Sequence, residues 1–289
     1  MNPRPFDYHS PRTVNEALAL ADRYGSDGKF LAGGQSLIPL MKLRISSPAH
    51  VIDLGRIAGL SYIRTEGDQL AIGAMTRLNE VSSSGLIAEE CPVLAQCALQ
   101  IADPLVRNMS TIGGNISHAD PSNDLPAVMV AVGAQLVATS SKGRRTISAY
   151  DFFVDTFTTA LRQGEMLTEV RIPAGRNRLS AYVKLERQPG DFGIVGVAAV
   201  VEIGTDGKCS SCGIGLSGVA PKVLKARKAE ELLVGKRLGE PEFEAAALAA
   251  AEETQPVGDL RGSPEYKRQM AKIITMRALR AAAKQAESA

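Results

Sequence analysis

Two adjacent-glycine phrases, about eighty residues apart, constrain this chain more than anything else in it. They are "LAGGQSLIPLMKLR", Leu31 to Arg44, and "STIGGNISHADPSNDLPAVM", Ser110 to Met129. A glycine pair has no Cβ atoms, so its backbone can take positive φ and come close to a ligand. Consecutive N–H groups there can converge into an anion-binding nest, and a helix starting directly afterwards adds unpaired donors. Ser36, Thr111 and Asn115 supply hydroxyl or amide groups able to bond a phosphate oxygen. One such turn suits one phosphate; two from separate segments suit a diphosphate gripped from both sides. The competing reading is that each phrase is only a tight turn.

The surrounding pattern predicts an α+β chain. "TVNEALALADRYG" opens with a T-x-x-E capping box, Thr13 to Glu16, and Gly25 ends it. A short buried strand at Lys29 to Leu31 leads into the first glycine turn, and Ile38 to Leu43 forms a short helix. "HVIDL" is a strand, and two more flank the turn "EGDQ". Helices follow at Thr76 to Ser83 and Leu86 to Ile101, then the second glycine turn, then a helix from Leu125 to Val132. Strands are predicted at Gln135 to Thr139 and Arg145 to Ile147, and "EMLTEVRIP" predicts an alternating strand. After "PAGRNR" the pattern changes to three extended runs, Leu179 to Leu185, Ile194 to Ile203 and Cys209 to Leu216, the last two joined by "TDGK". Helices at Val223 to Val234, Glu240 to Glu253 and Tyr266 to Ala286 complete the tail. Regular β-then-α alternation is missing, which disfavours a doubly wound parallel sheet. The expected domains are 1–175, with parts of about 1–55 and 56–175, and 176–289.

Other motifs carry little chemistry. "GIGLSG", Gly213 to Gly218, matches a dinucleotide fingerprint in letters, but it lies within a strand and Pro221 follows, so it predicts a close-packed sheet instead. Cys209 and Cys212 form a lone C-x-x-C; on a regular strand they would face opposite ways, and no further ligands complete a metal site. His9, His50 and His118 are scattered; His118 either touches the ligand or is a loop histidine. Asp124 precedes an apolar run, so it is either a helix N-cap or a carboxylate for ribose hydroxyls. Lys184 and Arg187 are either an exposed sheet face or part of the site. A net charge of +2 gives no basic field for nucleic acid. No apolar run is long enough to span a bilayer, no secretory leader is evident, and four cysteines do not make a disulfide scaffold, so the expected location is cytoplasmic. Aromatic residues make up only 4%, so a flat cofactor ring would rest mostly on backbone and aliphatic groups.

The two phrases, with "FDYHSP", "VIDL", "IGAMT", "IADPLVRNMSTIGGN", "DPSNDLPA", "GEMLTEVRIP" and "CGIGLSGVA", resemble the flavin-binding subunit of the molybdenum hydroxylases, the xanthine dehydrogenase family. Within it the likeness is greatest to the medium-subunit branch that serves aerobic carbon monoxide dehydrogenase. The resemblance implies a two-part FAD-binding domain of the vanillyl-alcohol-oxidase (PCMH) type, then a C-terminal domain of three-stranded antiparallel sheet and helices. It implies FAD as cofactor, its pyrophosphate held by Ala32, Gly33, Gly34, Gln35 and Ser36 and by Thr111, Ile112, Gly113, Gly114 and Asn115. Asp124 would bind the ribose side, and Leu167, Lys184 and Phe192 would lie near the flavin ring. Gln35 and Phe192 stand where that branch has His and Tyr; these departures leave FAD implied and leave the substrate open between carbon monoxide and another small molecule. No cysteine-rich cluster-binding insertion is present.

The family role is electron exit. A molybdopterin-containing large subunit oxidises substrate, a small subunit with 2Fe-2S clusters relays electrons, and the flavin passes them to quinone, NAD or oxygen. The implied assembly is a dimer of heterotrimers, with membrane association only peripheral and through partners. A stand-alone flavin oxidase and a non-catalytic nucleotide-binding scaffold are the alternatives.

Overall fold

The computed structural model describes residues 2–175 and 178–287, so the expected connection "PAGRNR" lies partly outside the described residues. The chain opens with β1 (Asp7–His9), α1 (Val14–Tyr24), β2 (Gly28–Leu31), α2 (Leu37–Lys42) and β3 (His50–Asp53). The strands form a parallel sheet in the order β1-β3-β2. Thr13 caps α1 by accepting from the Glu16 N–H at 3.1 Å. The Glu16 carboxylate accepts from Arg12 N–H at 2.8 Å, one residue earlier than a capping box requires. Strand β2 is half-exposed rather than buried, because it is the sheet's edge.

Next come β4 (Ile63–Glu66), β5 (Gln69–Gly73), α3 (Leu78–Ser83), α4 (Gly85–Glu90), α5 (Pro92–Leu99), α6 (Pro104–Met109), α7 (Ile112–His118) and α8 (Asp124–Ala131). They are followed by β6 (Gln135–Ser140), β7 (Gly143–Ser148), α9 (Ala149–Phe152), β8 (Phe153–Asp155), β9 (Thr158–Thr159) and β10 (Met166–Pro173). Five strands pair antiparallel in the order β4-β5-β10-β6-β7. Central β10 is buried at every position from Met166 to Val170, which is why it lacks the expected alternation. The single helix expected from Leu86 to Ile101 is two, because Pro92 forces Cys91 out of helical geometry, to φ −151 and ψ 65. Helix α6 adds to the expected elements; Asp103 caps it and Pro104 is its first residue. Gly113 and Gly114 lie in the first turn of α7 behind the Thr111 cap, so the second phrase is a helix start and not a loop.

The remainder is β11 (Arg178–Leu185), β12 (Val195–Ile203), β13 (Cys209–Ser217), β14 (Leu224–Lys225), α10 (Arg227–Leu233), α11 (Glu240–Glu252) and α12 (Pro264–Ala283). The two-residue β14 makes this antiparallel sheet four-stranded where three strands were expected, and it occupies the start of the helix expected from Val223. The sheet is buried on both faces. Tyr182, Ala198 and Val200 join the core around α8, while Val197, Ala199, Val201, Ile214 and Leu216 face α10 to α12. "GIGLSG" is the close-packed strand its sequence predicts: a Cβ on Gly213 would stand 1.9 Å from Ala131 O, and one on Gly215 2.1 Å from Ala127 O. The strand advances about 6.7 Å between these glycines and the helix about 6 Å between those carbonyls, so β13 lies along one turn of α8. A bulge at Ser210 resets the strand's parity, so Cys209 and Cys212 share the face toward α10 instead of opposing one another.

Candidate functional site

The first glycine phrase follows the end of β2. Gly34 has φ +78, a left-handed value that glycine accepts without strain. The backbone N–H groups of Gly33, Gly34, Gln35 and Ser36 meet no protein acceptor among the described residues. Gly33 is pressed against the end of α6, where a Cβ would come 2.2 Å from Met109 O and 2.7 Å from Ser110 Cα. Arg77 Nη1 donates to the same Met109 carbonyl.

The second phrase is built differently. Ile112 N–H donates to Thr76 O, Gly113 N–H to Ala74 O, Gly114 N–H to Thr111 Oγ1 and Asn115 N–H to Thr111 O, all at 2.8–3.1 Å. Its backbone donors are therefore consumed, and only the first phrase offers the open nest that both were expected to form. The second presents side chains instead. Asn115 Nδ2 donates to Asn123 Oδ1 at 3.4 Å, whereas Asn115 Oδ1 is buried with no partner among the described residues. The two phrases meet: a Cβ on Gly114 would stand 3.1 Å from the Ala32 Cβ and 4.0 Å from Gly33 N. Bare N–H groups opposite a hydroxyl and an unsatisfied buried amide oxygen fit a dinucleotide, which brings both phosphate acceptors and hydroxyl donors.

Asp124 is the first residue of α8, and Asn123 holds the cap position. One Asp124 carboxylate oxygen accepts from the Tyr182 hydroxyl and the other lies 3.4 Å from Lys184 Nζ. Burial raises its pKa to about 6, against the opposing pull of Lys184. Lys184 is not an exposed sheet residue; its side chain is 0% accessible, and Nζ also reaches Glu186 at 2.8 Å, Gln100 O at 2.8 Å and Asp191 O at 3.0 Å. Arg187, by contrast, lies beyond β11, mostly exposed, 3.4 Å from Asp191. Phe192 stands at the tip of the β11–β12 hairpin, 43% exposed, with the Arg261 guanidinium 5.7 Å from its ring centre. Leu167 is buried at a bulge in β10. His118 ends α7 beside the Phe157 ring, and burial lowers its pKa.

These contacts join in series: first phrase to second, Asn115 to Asn123, Asp124 to Lys184, Lys184 to the carbonyl next to Phe192. Tyr182 and Arg107 belong to the same neighbourhood and were not singled out from sequence. The signal for Tyr182 was present, since residues two apart on a strand share a face and Lys184 was a candidate. For Arg107, 9% accessible on α6, no sequence signal distinguished it from a surface arginine. Among the described residues no group of side chains is arranged to hold a metal ion, and no helix is long and apolar enough to cross a membrane.

An α+β fold with such a cradle defines an FAD-binding flavoprotein of the oxidoreductase class. Residues 4–175 match the FAD binding domain in molybdopterin dehydrogenase, and residues 180–282 match the CO dehydrogenase flavoprotein C-terminal domain. The chain belongs to this family of flavin-binding subunits of molybdenum-dependent dehydrogenases, and its cofactor is FAD. It is 44% identical over 283 residues to the carbon monoxide dehydrogenase medium chain of Hydrogenophaga pseudoflava, covering 98% of each. A solved structure of that organism's carbon monoxide dehydrogenase, in a form lacking the Mo-pyranopterin moiety of its molybdenum cofactor, superimposes with TM-score 0.95 at 46% identity, covering 98% of each chain. Quinoline 2-oxidoreductase from Pseudomonas putida 86 superimposes with TM-score 0.93 at 32% identity, covering 99% of each.

Proposed function

We propose that this chain is the electron-exit subunit of a heteromeric molybdenum hydroxylase. It accepts electrons from 2Fe-2S clusters of a small partner subunit and delivers them to an external acceptor, while a molybdopterin-containing large subunit oxidises the substrate. The assembly is a dimer of heterotrimers in the cytoplasm, reaching a membrane only through partners. The division at residue 175 separates the FAD-binding domain, with parts of about 1–55 and 56–175, from the C-terminal domain.

The observation that carries this reading is the meeting of an open N–H nest with an unsatisfied Asn115 amide oxygen. In this reading the N–H groups of Gly33 to Ser36 hold the FAD pyrophosphate, and Thr111 and Asn115 close it from the other side, with Ala32, Ile112, Gly113 and Gly114 providing bare, close backbone. Lys184, Leu167 and Phe192 bound the ring end. Asp124, expected on the ribose side, has both oxygens engaged, so in this reading it supports the site through Tyr182 and Lys184. Bound FAD supplies the exchange between single electrons and pairs. The chain's own residues bind, orient and tune, and none need act as acid or base on the organic substrate.

The test is purification with and without partner subunits. The chain is expected to be yellow, bleached by dithionite alone, and bleached by the holoenzyme's substrate only when both partners are present. A colourless chain that takes up no FAD refutes the reading. Bleaching of the isolated chain by a small alcohol replaces it with a stand-alone oxidase. The named relatives act on carbon monoxide and on quinoline, so the substrate follows from the partner that binds it.

A further inference from the structure

Arg107 is the one buried cation near the site that the reading above leaves without a role. Its side chain runs back along α6, and Nη1 donates to Ile101 O at 2.9 Å and Ala102 O at 3.0 Å. It has no carboxylate partner among the described residues, and its Nε is buried with nothing to donate to. A buried guanidinium without an anion is costly, so such a group usually answers charge elsewhere.

The place of that charge follows from the contacts around Ala102. Ala102 O is also the atom nearest Gly190, where a Cβ would stand 2.8 Å away. Gly190 is two residues before Phe192 on the hairpin tip. Lys184 grips the same turn at Gln100 O and the same hairpin at Asp191 O. Arg107 and Lys184 thus both hold one short turn, which packs against the hairpin that bounds the ring end. Beside this turn lie Lys184, Asp124 and Glu186, formally −1 together when Asp124 is ionised; exposed Asp103, which caps α6 from within the turn, and Arg261 over the Phe192 ring offset one another in the count. Asp191 is engaged with exposed Arg187. Arg107 brings the sum to zero.

We infer that Arg107 tunes the flavin, cancelling the excess negative charge of the Asp124–Lys184–Glu186 cluster so that the ring end tolerates the added charge of reduction. Uptake of two electrons and one proton leaves the isoalloxazine anionic near neutral pH. A positive charge close by favours that state over the oxidised one, and a negative charge disfavours it. The inference rests on the ring-end placement of Phe192 and Lys184 given above.

The experiment is a dye-equilibrated reductive titration of FAD on the full-length chain, for wild type, Arg107→Gln, Arg107→Lys and Asp124→Asn. A unit charge within about 10 Å, at an effective dielectric near 20, changes the preference for reduced over oxidised FAD by about tenfold. For a two-electron couple that is about 30 mV. Arg107→Gln is expected to lower the midpoint potential by about that amount at pH 7.5, Asp124→Asn to raise it, and Arg107→Lys to stay near wild type. Opposite signs distinguish charge from loosening, which would move both variants the same way. Equal potentials in wild type and Arg107→Gln, or shifts of the same sign in Arg107→Gln and Asp124→Asn, overturn the inference while leaving the proposed function intact. If Arg107→Gln fails to fold, Arg107→Met, which keeps the buried stem without the charge, takes its place: a lowered potential supports the inference, and an unchanged one overturns it. A wild-type chain that binds no FAD overturns the proposed function itself.

Discussion

Replacing Gly215 by alanine is expected to push the C-terminal sheet off α8. The new Cβ would lie 2.1 Å from Ala127 O, 2.9 Å from its carbonyl carbon and 3.1 Å from its Cα. Carbon–oxygen contacts normally begin near about 3.3 Å, so roughly 1 Å must open between two backbones. No flexible side chain is present to give way. Overpacking costs about 1–3 kcal/mol, and a backbone-on-backbone overlap belongs at the upper end. At about 2–4 °C per kcal/mol, the melting temperature should fall by about 6–12 °C. Flavin should be lost as well, since β11, which carries Tyr182 and Lys184, is held to β13 only through β12. The assay is a thermal melt with the flavin-to-protein absorbance ratio, using Gly59→Ala as control because a Cβ there meets nothing within 4 Å. A Gly215→Ala chain that melts with wild type and keeps its flavin would refute the close-approach argument, and Gly213→Ala should behave like Gly215→Ala.

Three further outcomes are expected. Gly34→Val should reduce FAD retention strongly, since a branched residue at φ +78 distorts the open nest; normal flavin content would count against that nest. Gly114→Val should also reduce it, but by crowding Thr111 Oγ1 and the Ala32 side chain rather than by straining φ, so a small residue should be better tolerated at 114 than at 34; equal loss with alanine at both positions contradicts the distinction. Asp124 is protonated more readily folded than unfolded, so it binds extra protons between about pH 4 and 6, and its contribution to stability declines as pH rises through that window. Asp124→Asn should therefore gain on wild type by about 2 kcal/mol from pH 4 to pH 7 in urea titrations, and a constant difference would show that burial does not raise this carboxyl.

The site's two halves differ in how far sequence exposes them. The glycine phrases are legible because the absence of Cβ atoms is written in the residue itself, and they do meet. What they do after meeting is not legible. The acceptors that consume the N–H groups of Ile112 and Gly113 are the carbonyls of Thr76 and Ala74, almost forty residues upstream, and nothing local announces them. The same holds for Asp124. A carboxylate at a helix start has a sufficient local reason to be there, and only the docking of β11 shows both oxygens engaged elsewhere. Cys209 and Cys212 failed for a smaller reason: one inserted residue, Ser210, inverts the strand's parity, and a bulge in a serine-rich strand carries no mark. Elements with strong local punctuation, such as α1 between Thr13 and Gly25 or the hairpin turn before Cys209, lie where sequence predicts them.

The glycine face of β13 and the apolar face of α8 pack closely but hold little that would fix one register, and the polar cluster beside them supplies it. Asp124 on α8 must find Tyr182 and Lys184 on β11, and a shift of one residue would bury all three unpaired. Such clusters need not add net stability. Removing one partner typically costs about 3–5 kcal/mol, whereas replacing the whole group by apolar residues of similar size is often neutral or stabilising by about 1–4 kcal/mol. Lys184→Met alone is therefore expected to destabilise the chain severely. In a Glu186→Gln background, which leaves no carboxylate of the cluster unpaired, the combination Asp124→Leu, Tyr182→Phe and Lys184→Met should fold with near wild-type stability, yet hold flavin poorly because the hairpin bearing Phe192 loses its anchor at Asp191 O. Urea midpoints and flavin content separate the two effects. If the triple variant keeps both, the cluster is not what sets the register, and the glycine contacts on Ala127 and Ala131 must do so unaided.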